Sequence, residues 1–310
     1  MSFSWPTLAQ ATYRIMRLRR LILTALVLSA TVLCCAAVIA PELLTAARIL
    51  RIFAAIALLL CLHVMLFPNV ALETLSLSVV GTGFATLLPV LPDLAGFAPI
   101  TLYQAALTFA AVLAVLLALA CTMVVHKFLE ICVYAGPTVH LRLRTALWVP
   151  HAPEFAHRQF GLRPDTRRGR VMAGPVDDHG FFDVAVVSSQ MADPADPSCP
   201  LVVKLDAKIL SSDGHTHKTM LVLPDGAVTV TAQRFTPLAR GCTVTVTEVP
   251  GDFTYGMYAL FWLTDQQTDN LVEVAELLQS DPPRANGLAH AVSFLSLAGV
   301  VLSPRQPLLH

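Results

Sequence analysis

Hydrophobic positions follow two different rules along this chain. Up to residue 125 they come in long, nearly unbroken runs. Leu21 to Ala40 contains no charge and ends at Pro41-Glu42, while Ile49 to Phe67 is interrupted by Arg51 and His63. Val70 to Leu91 is the least regular, carrying Glu73, several serines and threonines, Gly81, Gly83 and Pro89; Ile100 to Val125 is uncharged and stops at His126-Lys127. Crossing about 30 Å of hydrocarbon takes roughly 20 apolar residues in a helix. The pattern therefore predicts four spans, at 21–40, 49–67, 70–91 and 100–125. The first run exceeds the apolar core of a signal peptide, about 7–15 residues, and is read as an uncleaved anchor.

From Thr138 the period becomes two. Val139, Leu141, Leu143 and Leu147 alternate with His140, Arg142 and Arg144, and Leu201, Val203, Leu205, Ala207 and Ile209 alternate with Lys204, Asp206 and Lys208. Further strands are predicted at Val171–Ala173, Phe181–Ser188, Thr219–Leu223, Ala227–Phe235 and Cys242–Glu248. Turn signals such as Ser211-Ser212-Asp213-Gly214 and Pro224-Asp225-Gly226 separate them. Seven strands joined mostly by tight turns make an antiparallel sheet. A short helix is predicted at Ala152–Phe160, with Pro153 in its first turn, where proline is tolerated.

After Pro250 the period is helical again. Leu271, Val274, Ala275 and Leu278 share one face, and Asp269, Glu273 and Glu276 share another. This long helix starts either at a cap near Thr264-Asp265 or earlier, near Phe253, and ends at Asp281-Pro282-Pro283. With the earlier start it carries Tyr255, Tyr258, Phe261 and Trp262, and Trp262 is expected to be largely buried, between helix and sheet or at the membrane-facing end. A last apolar stretch, Leu288–Leu302, rises only about 22 Å as a helix, too short to span comfortably. It makes 281–310 an apolar helix and tail that lies on the membrane, on the domain or on a partner.

Composition sharpens this division. Hydrophobic residues are 55% of the chain and charged residues 14%, which excludes disorder. A net charge of +0 excludes a wholesale nucleic-acid binder. Residues 1–127 hold seven Lys/Arg against three Asp/Glu, a net of +4, and residues 128–310 hold fourteen against eighteen, a net of −4. Arg14, Arg17, Arg19 and Arg20 precede the first span, so residues 1–20 are expected in the cytoplasm, with 10–20 lying on the headgroups. Four spans return the domain at 138–280 to that same side. Seven cysteines without metal or disulfide spacing fit a reducing compartment.

Candidate chemistry is sparse. Ionisable side chains within spans point to function by default, which selects Arg51, His63 and Glu73; His63 with Glu73 could form a proton or ion relay. The competing reading is that Arg51 and Glu73 lie near helix ends and snorkel to the interface. His215-Thr216-His217 places two imidazoles on one side of a strand start, one or two ligands short of a metal site. Arg167-Arg168-Gly169-Arg170 is a basic cluster suited to anionic lipid or to plain solvation. No catalytic, phosphate-binding or metal motif appears, so no catalytic residue, metal or cofactor is expected.

The order strand, short helix, six strands, long helix resembles the SRPBCC superfamily (START-like, polyketide-cyclase-like) over about Val139 to Ser280. The first strand ends at Trp148-Val149-Pro150 with a helical stretch behind it, and Phe235-Thr236-Pro237-Leu238-Ala239-Arg240-Gly241-Cys242-Thr243-Val244-Thr245-Val246 resembles the family's late strand pair. The Arg-rich stretch Arg163–Arg170 departs from it where a second small helix would stand. The resemblance implies a helix-grip fold with a hydrophobic cavity between sheet and helix. It also implies a pocket lined by inward-facing strand residues and the helix aromatics Tyr255, Tyr258, Phe261 and Trp262. The expectation is therefore an α-helical membrane domain of about four spans, then an α+β helix-grip domain facing the cytoplasm. Its leading role is non-catalytic binding of a hydrophobic small molecule or lipid. A structural or assembly subunit docking on membrane-protein partners, and a small transporter using the intramembrane polar residues, are the alternatives.

Overall fold

The computed structural model describes residues 6–42, 44–68, 70–87, 100–168, 171–192 and 200–278. The chain divides into two compact units, the first ending at Val133 and the second beginning at Tyr134. The expected C-terminal apolar helix at 281–310, the end of the third apolar run at 88–91, and the cluster residues Gly169 and Arg170 lie outside the described residues.

In the first unit, α1 (Leu8–Arg17) opens with a capping box in which Thr7 and Gln10 satisfy each other's backbone N–H groups. Arg14 and Arg17 are buried, and the Arg14 guanidinium donates to the Met65 carbonyl. This overturns the expectation that these two arginines face headgroups. Met65 lies in the last turn of α3 (Ala46–Leu66), whose carbonyls have no partner within the helix. A buried cation there meets the negative end of the helix dipole.

Helix α2 (Arg19–Ile39) and α3 are each 21 residues long. Helix α4 (Ala71–Leu87) packs against both. Its polar residues do not need water: Ser76, Ser78 and Thr82 return their hydroxyl protons to the carbonyls of Leu72, Leu75 and Ser78. Ser29 of α2 donates to the Ser78 carbonyl at 3.1 Å, so small side chains bring the two backbones close at mid-helix. Helix α5 (Ile100–Tyr134) runs 35 residues. It continues past the expected stop at Val125 by pairing Lys127 with Glu130 at 2.7 Å.

Among the described residues, three helical stretches are long and apolar enough to cross a membrane: Arg19–Ile39, Ala46–Leu66 and Thr108–Tyr134. The third of the four expected spans is instead the 17-residue α4, which rises about 25 Å. Those described residues alone fall short of the roughly 30 Å of hydrocarbon.

The second unit is built on an antiparallel sheet of eight strands among the described residues, ordered β1-β8-β7-β6-β5-β4-β3-β2. The strands are β1 (Leu143–Val149), β2 (Arg167–Arg168), β3 (Val171–Val176), β4 (Phe181–Ala192), β5 (Pro200–Ser212), β6 (Thr216–Val222), β7 (Val228–Pro237) and β8 (Cys242–Val249). The count corrects the expected seven. The added strand, β2, is two arginines paired to Met172 and Val171, too short to show any alternation. Strand β1 starts four residues later than its pattern. Val139 gives its N–H to the Phe253 carbonyl, and Thr138 bridges Thr254, outside the sheet.

Two helices close the sheet's inner face. Helix α6 (Pro153–Phe160), with Pro153 at its start, packs on β7 and β8. The expected long C-terminal helix is two helices, α7 (Tyr255–Thr264), capped by the Thr254 hydroxyl, and α8 (Gln266–Leu277). Asp265 between them has φ 49, a left-handed conformation that no continuous helix contains. Only α8 lies on the sheet, against β1. Its Leu271, Val274, Ala275 and Leu278 close a core with Val149, Phe160, Phe235, Val244 and Val246.

Candidate functional site

Strand register shows what the inner face offers. Leu147, Val244 and Phe235 form one cross-strand row, and Thr145, Val246, Gln233, His217 and Ser212 form the next. Leu143, Glu248, Thr231, Thr219 and Ile209 form a third. Beyond them Phe182, Val184 and Ala207 are buried in a second apolar cluster, with Leu162, Val171, Ala173, Val186, Leu205, Ile209 and Leu221 partly buried around it. The face thus has two apolar ends and a polar belt between. Helices α6 and α8 pack on the β1, β7 and β8 end.

The belt is tied at one side by α8. Gln267 donates to Glu248 at 3.1 Å, and the Thr268 and Thr145 hydroxyls share a 2.6 Å bond. Burial pushes the Glu248 carboxyl above the usual carboxylate range, Asp252 adds to that, and the Gln267 bond opposes it.

At the other side stand two imidazoles, His217, which the sequence reading set beside His215 instead, and His157. His217 Nε2–H donates to the Leu162 carbonyl at 2.9 Å, leaving Nδ1 to accept from the Ser212 hydroxyl at 3.2 Å. His157 Nε2–H donates to the Thr216 carbonyl at 3.1 Å, and its Nδ1 accepts from Arg163 at 3.2 Å. Both rings are neutral in this arrangement. Burial holds His217 below the usual imidazole range, with Arg163 and His157 lowering it further against the Leu162 bond. A hydroxyl donating to an imidazole is half of a nucleophile's activation. Here, however, His157 Nε2 also lies 3.3 Å from the same Ser212 oxygen, and the outer ring nitrogens are spent on backbone carbonyls and Arg163. The network therefore fastens α6 and its following loop to the β5–β6 hairpin. Two buried polar atoms beside it have no partner among the described residues: Gln233 Oε1 and Arg163 Nε. His215 and His217, expected on one side of the strand, are split. His217 is buried, while His215 precedes the strand and is exposed.

The four aromatics expected to line a pocket sit on α7. Tyr258 is buried and clasps the Leu141 backbone, accepting from its N–H and donating to its carbonyl, both at 2.9 Å. Phe253 stacks edge-on with Tyr258 and Phe261. Tyr255 and Trp262 are exposed, Trp262 at 56%, so Trp262 is not buried between helix and sheet as one of its two expected placements had it. The reason is the break at Asp265, which leaves the sheet to α8.

In the first unit His63 and Glu73 meet as expected, His63 Nε2 lying 2.9 Å from Glu73 Oε1. Glu73 is 1% exposed and His63 5%, so Glu73 does not snorkel. The Thr74 hydroxyl gives its proton to Val70, so His63 Nδ1–H must donate to Thr74 Oγ1 at 3.2 Å. The bond between Nε2 and the carboxylate makes the pair a buried staple between α3 and α4. Arg51 is exposed and bonds the Ala47 carbonyl of its own helix, apart from this pair.

Two outcomes follow. Removing either His63 or Glu73 alone by alanine substitution breaks the buried pair and costs about 3–5 kcal/mol. Replacing both with leucine costs much less than the sum, as thermal unfolding in detergent would show. Glu248 holds its proton more tightly folded than unfolded, so stability falls as pH rises from the ordinary carboxylate value through the raised folded one. Glu248→Gln removes that fall: its melting temperature equals wild type at pH 4 and exceeds it at pH 8.

No family model matches the sequence, and no curated protein matches it. Among solved structures, a protein from Chromobacterium violaceum is 15% identical, covering 45% of this chain and 99% of that chain, with a TM-score of 0.33. One from Mesorhizobium loti is 13% identical over 45% and 97%, with a TM-score of 0.31. The di-domain ARO/CYC StfQ from the steffimycin biosynthetic pathway is 13% identical over 55% and 58%, with a TM-score of 0.33. At these values the likenesses assign no function to this chain.

Proposed function

We propose that this chain is a membrane-anchored, non-catalytic binding module for a hydrophobic small molecule or lipid. In this reading the apolar part of the ligand lies on the β3–β6 end of the inner face, against Val184, Leu205, Ile209 and Leu221. The observation that carries it is the pair of buried atoms with no partner among the described residues, Gln233 Oε1 and Arg163 Nε. Buried polar atoms are nearly always satisfied. An acceptor and a donor left open beside an apolar surface suit a ligand whose polar end can both donate and accept, such as a hydroxyl. The four α7 aromatics are not part of this site.

The proposed topology keeps both the N-terminus and the second unit in the cytoplasm. The arginines at 14–20 support it. So does α4, which starts beside the end of α3 through His63–Glu73 and meets the middle of α2 at Ser29–Ser78. In this reading α4 crosses as a fourth, short helix shielded by α2 and α3.

Native mass spectrometry of the full-length protein released from detergent tests the function. The expected result is a small-molecule adduct. Gln233→Leu lowers its occupancy about tenfold, the worth of one buried hydrogen bond, and Ile209→Trp, which fills the site, abolishes it. A folded protein carrying no adduct, or an adduct indifferent to both changes, contradicts the proposal. A co-purifying polypeptide in its place supports the assembly-subunit alternative.

A further inference from the structure

The outer face of the same sheet is unlike the rest of its unit. Residues 128–310 are acidic, fourteen Lys/Arg against eighteen Asp/Glu. Side chains two apart on a strand share a face, and register fixes which ones meet on the outer side. Arg144, Thr247, Ala232 and Lys218 form one cross-strand row; Ala146, Thr245, Arg234 and Thr216 form the next; Trp148, Thr243 and Thr236 form the third. At about 4.8 Å between strands, the first row spans about 14 Å. Arg144, Lys218 and Arg234 are all exposed. None of the three pairs with a carboxylate among the described residues, and no acidic residue occupies these three rows. One carboxylate borders the face, Asp213 at the β5–β6 turn, which accepts from the Thr216 hydroxyl at 2.7 Å; the other acidic side chains lie elsewhere, at Asp269, Glu273 and Glu276 on α8 and at turn residues such as Asp177 and Asp225. Farther along the face, Asp183 and Asp206 stand opposite each other, which ends the basic area at β6.

Two further features narrow the partner. Between the three cations the floor is small and hydroxyl-bearing, built of alanines and threonines, so a flat anionic surface can approach the backbone without a bulky side chain in the way. At one corner Trp148 donates its indole N–H to the Arg240 carbonyl at 2.9 Å, yet remains 53% exposed. An indole with its polar end satisfied and its ring in the open, beside arginines, is the combination found at membrane–water interfaces. The chain also carries helices long and apolar enough to cross a membrane, so a bilayer is within reach of every copy.

We infer that the outer face of β1-β8-β7-β6 docks on anionic lipid headgroups, with Arg144, Lys218 and Arg234 meeting phosphates and Trp148 entering the interface. This is independent of the inner-face ligand: the two faces share strands but no side chains.

The test uses the full-length protein in nanodiscs, with Trp5→Phe and Trp262→Phe leaving Trp148 as the sole indole. Discs of phosphatidylcholine alone are compared with discs containing phosphatidylglycerol, each carrying a nitroxide-headgroup lipid as quencher. The expected result is strong quenching of Trp148 only in anionic discs, relieved near 1 M salt, where screening acts within about 3 Å. Each of R144Q, K218Q and R234Q weakens docking about fivefold, and the triple variant roughly a hundredfold. The charge-keeping triple R144K, K218R and R234K retains docking, which separates charge loss from misfolding. Equal quenching in neutral and anionic discs, or quenching indifferent to the triple glutamine variant, overturns the inference. So does protection of Trp148 that appears only with an added acidic protein, which makes the face a protein interface.

Discussion

The second unit depends on one long-range pairing. Leu143–Val149 lies against Cys242–Val249, about a hundred residues later in the chain, in unbroken antiparallel register. That contact adds the first strand to the edge of a sheet that the successive hairpins β2 to β8 already make continuous. It also creates the row Leu147–Val244–Phe235 on which α6 and α8 pack, and it sets Glu248 within reach of Gln267. Gly241, at the tight turn before β8, has φ 92, and a side chain there would collide with the Val149 carbonyl. Only glycine lets the β7–β8 hairpin come close enough for the pairing to start. Contacts so distant in sequence form after local ones, because loop closure must be met first.

The first unit solves a different problem, that of placing polar side chains in helices with little access to water. Each solution is local and hydrogen-bonded. Hydroxyls on α4 return to carbonyls of their own helix, Arg14 takes an open carbonyl of α3, and His63 and Glu73 share a hydrogen bond between the last turn of one helix and the first turn of the next. A buried polar group is tolerated when its partners are in place. That is why α4 accepts a glutamate, serines and threonines within a packed helical unit.

Much of this was legible in the sequence where a pattern repeats. Alternation across Leu201–Ile209 marked β5, Pro153 marked the start of α6, and the long apolar runs marked α2, α3 and α5. Features set by a single residue or a distant partner were not legible. Asp265 breaks the last helix through its backbone conformation, which its identity only weakly signals. Strand β2 exists because β3 offers an edge, not because two arginines alternate. The inward turn of His217, away from His215, follows from the strand starting at Thr216. The His63–Glu73 contact did have a signal: ten residues apart across the turn at Phe67-Pro68, they face each other once the two helices fold back. The belt of Gln233, Arg163 and His157 had none, since its members come from separate elements.

The two faces of the sheet now carry separate assignments, and the inner one is central. Photolabelling of the full-length protein in nanodiscs with a diazirine-bearing fatty acid tests it most directly. The account predicts adducts on the inner-face residues of Phe182–Val186 and Leu205–Ile209, in addition to those on the apolar helices, and their selective loss in Ile209→Trp. Adducts confined to the apolar helices, with the sheet unlabelled, would contradict it.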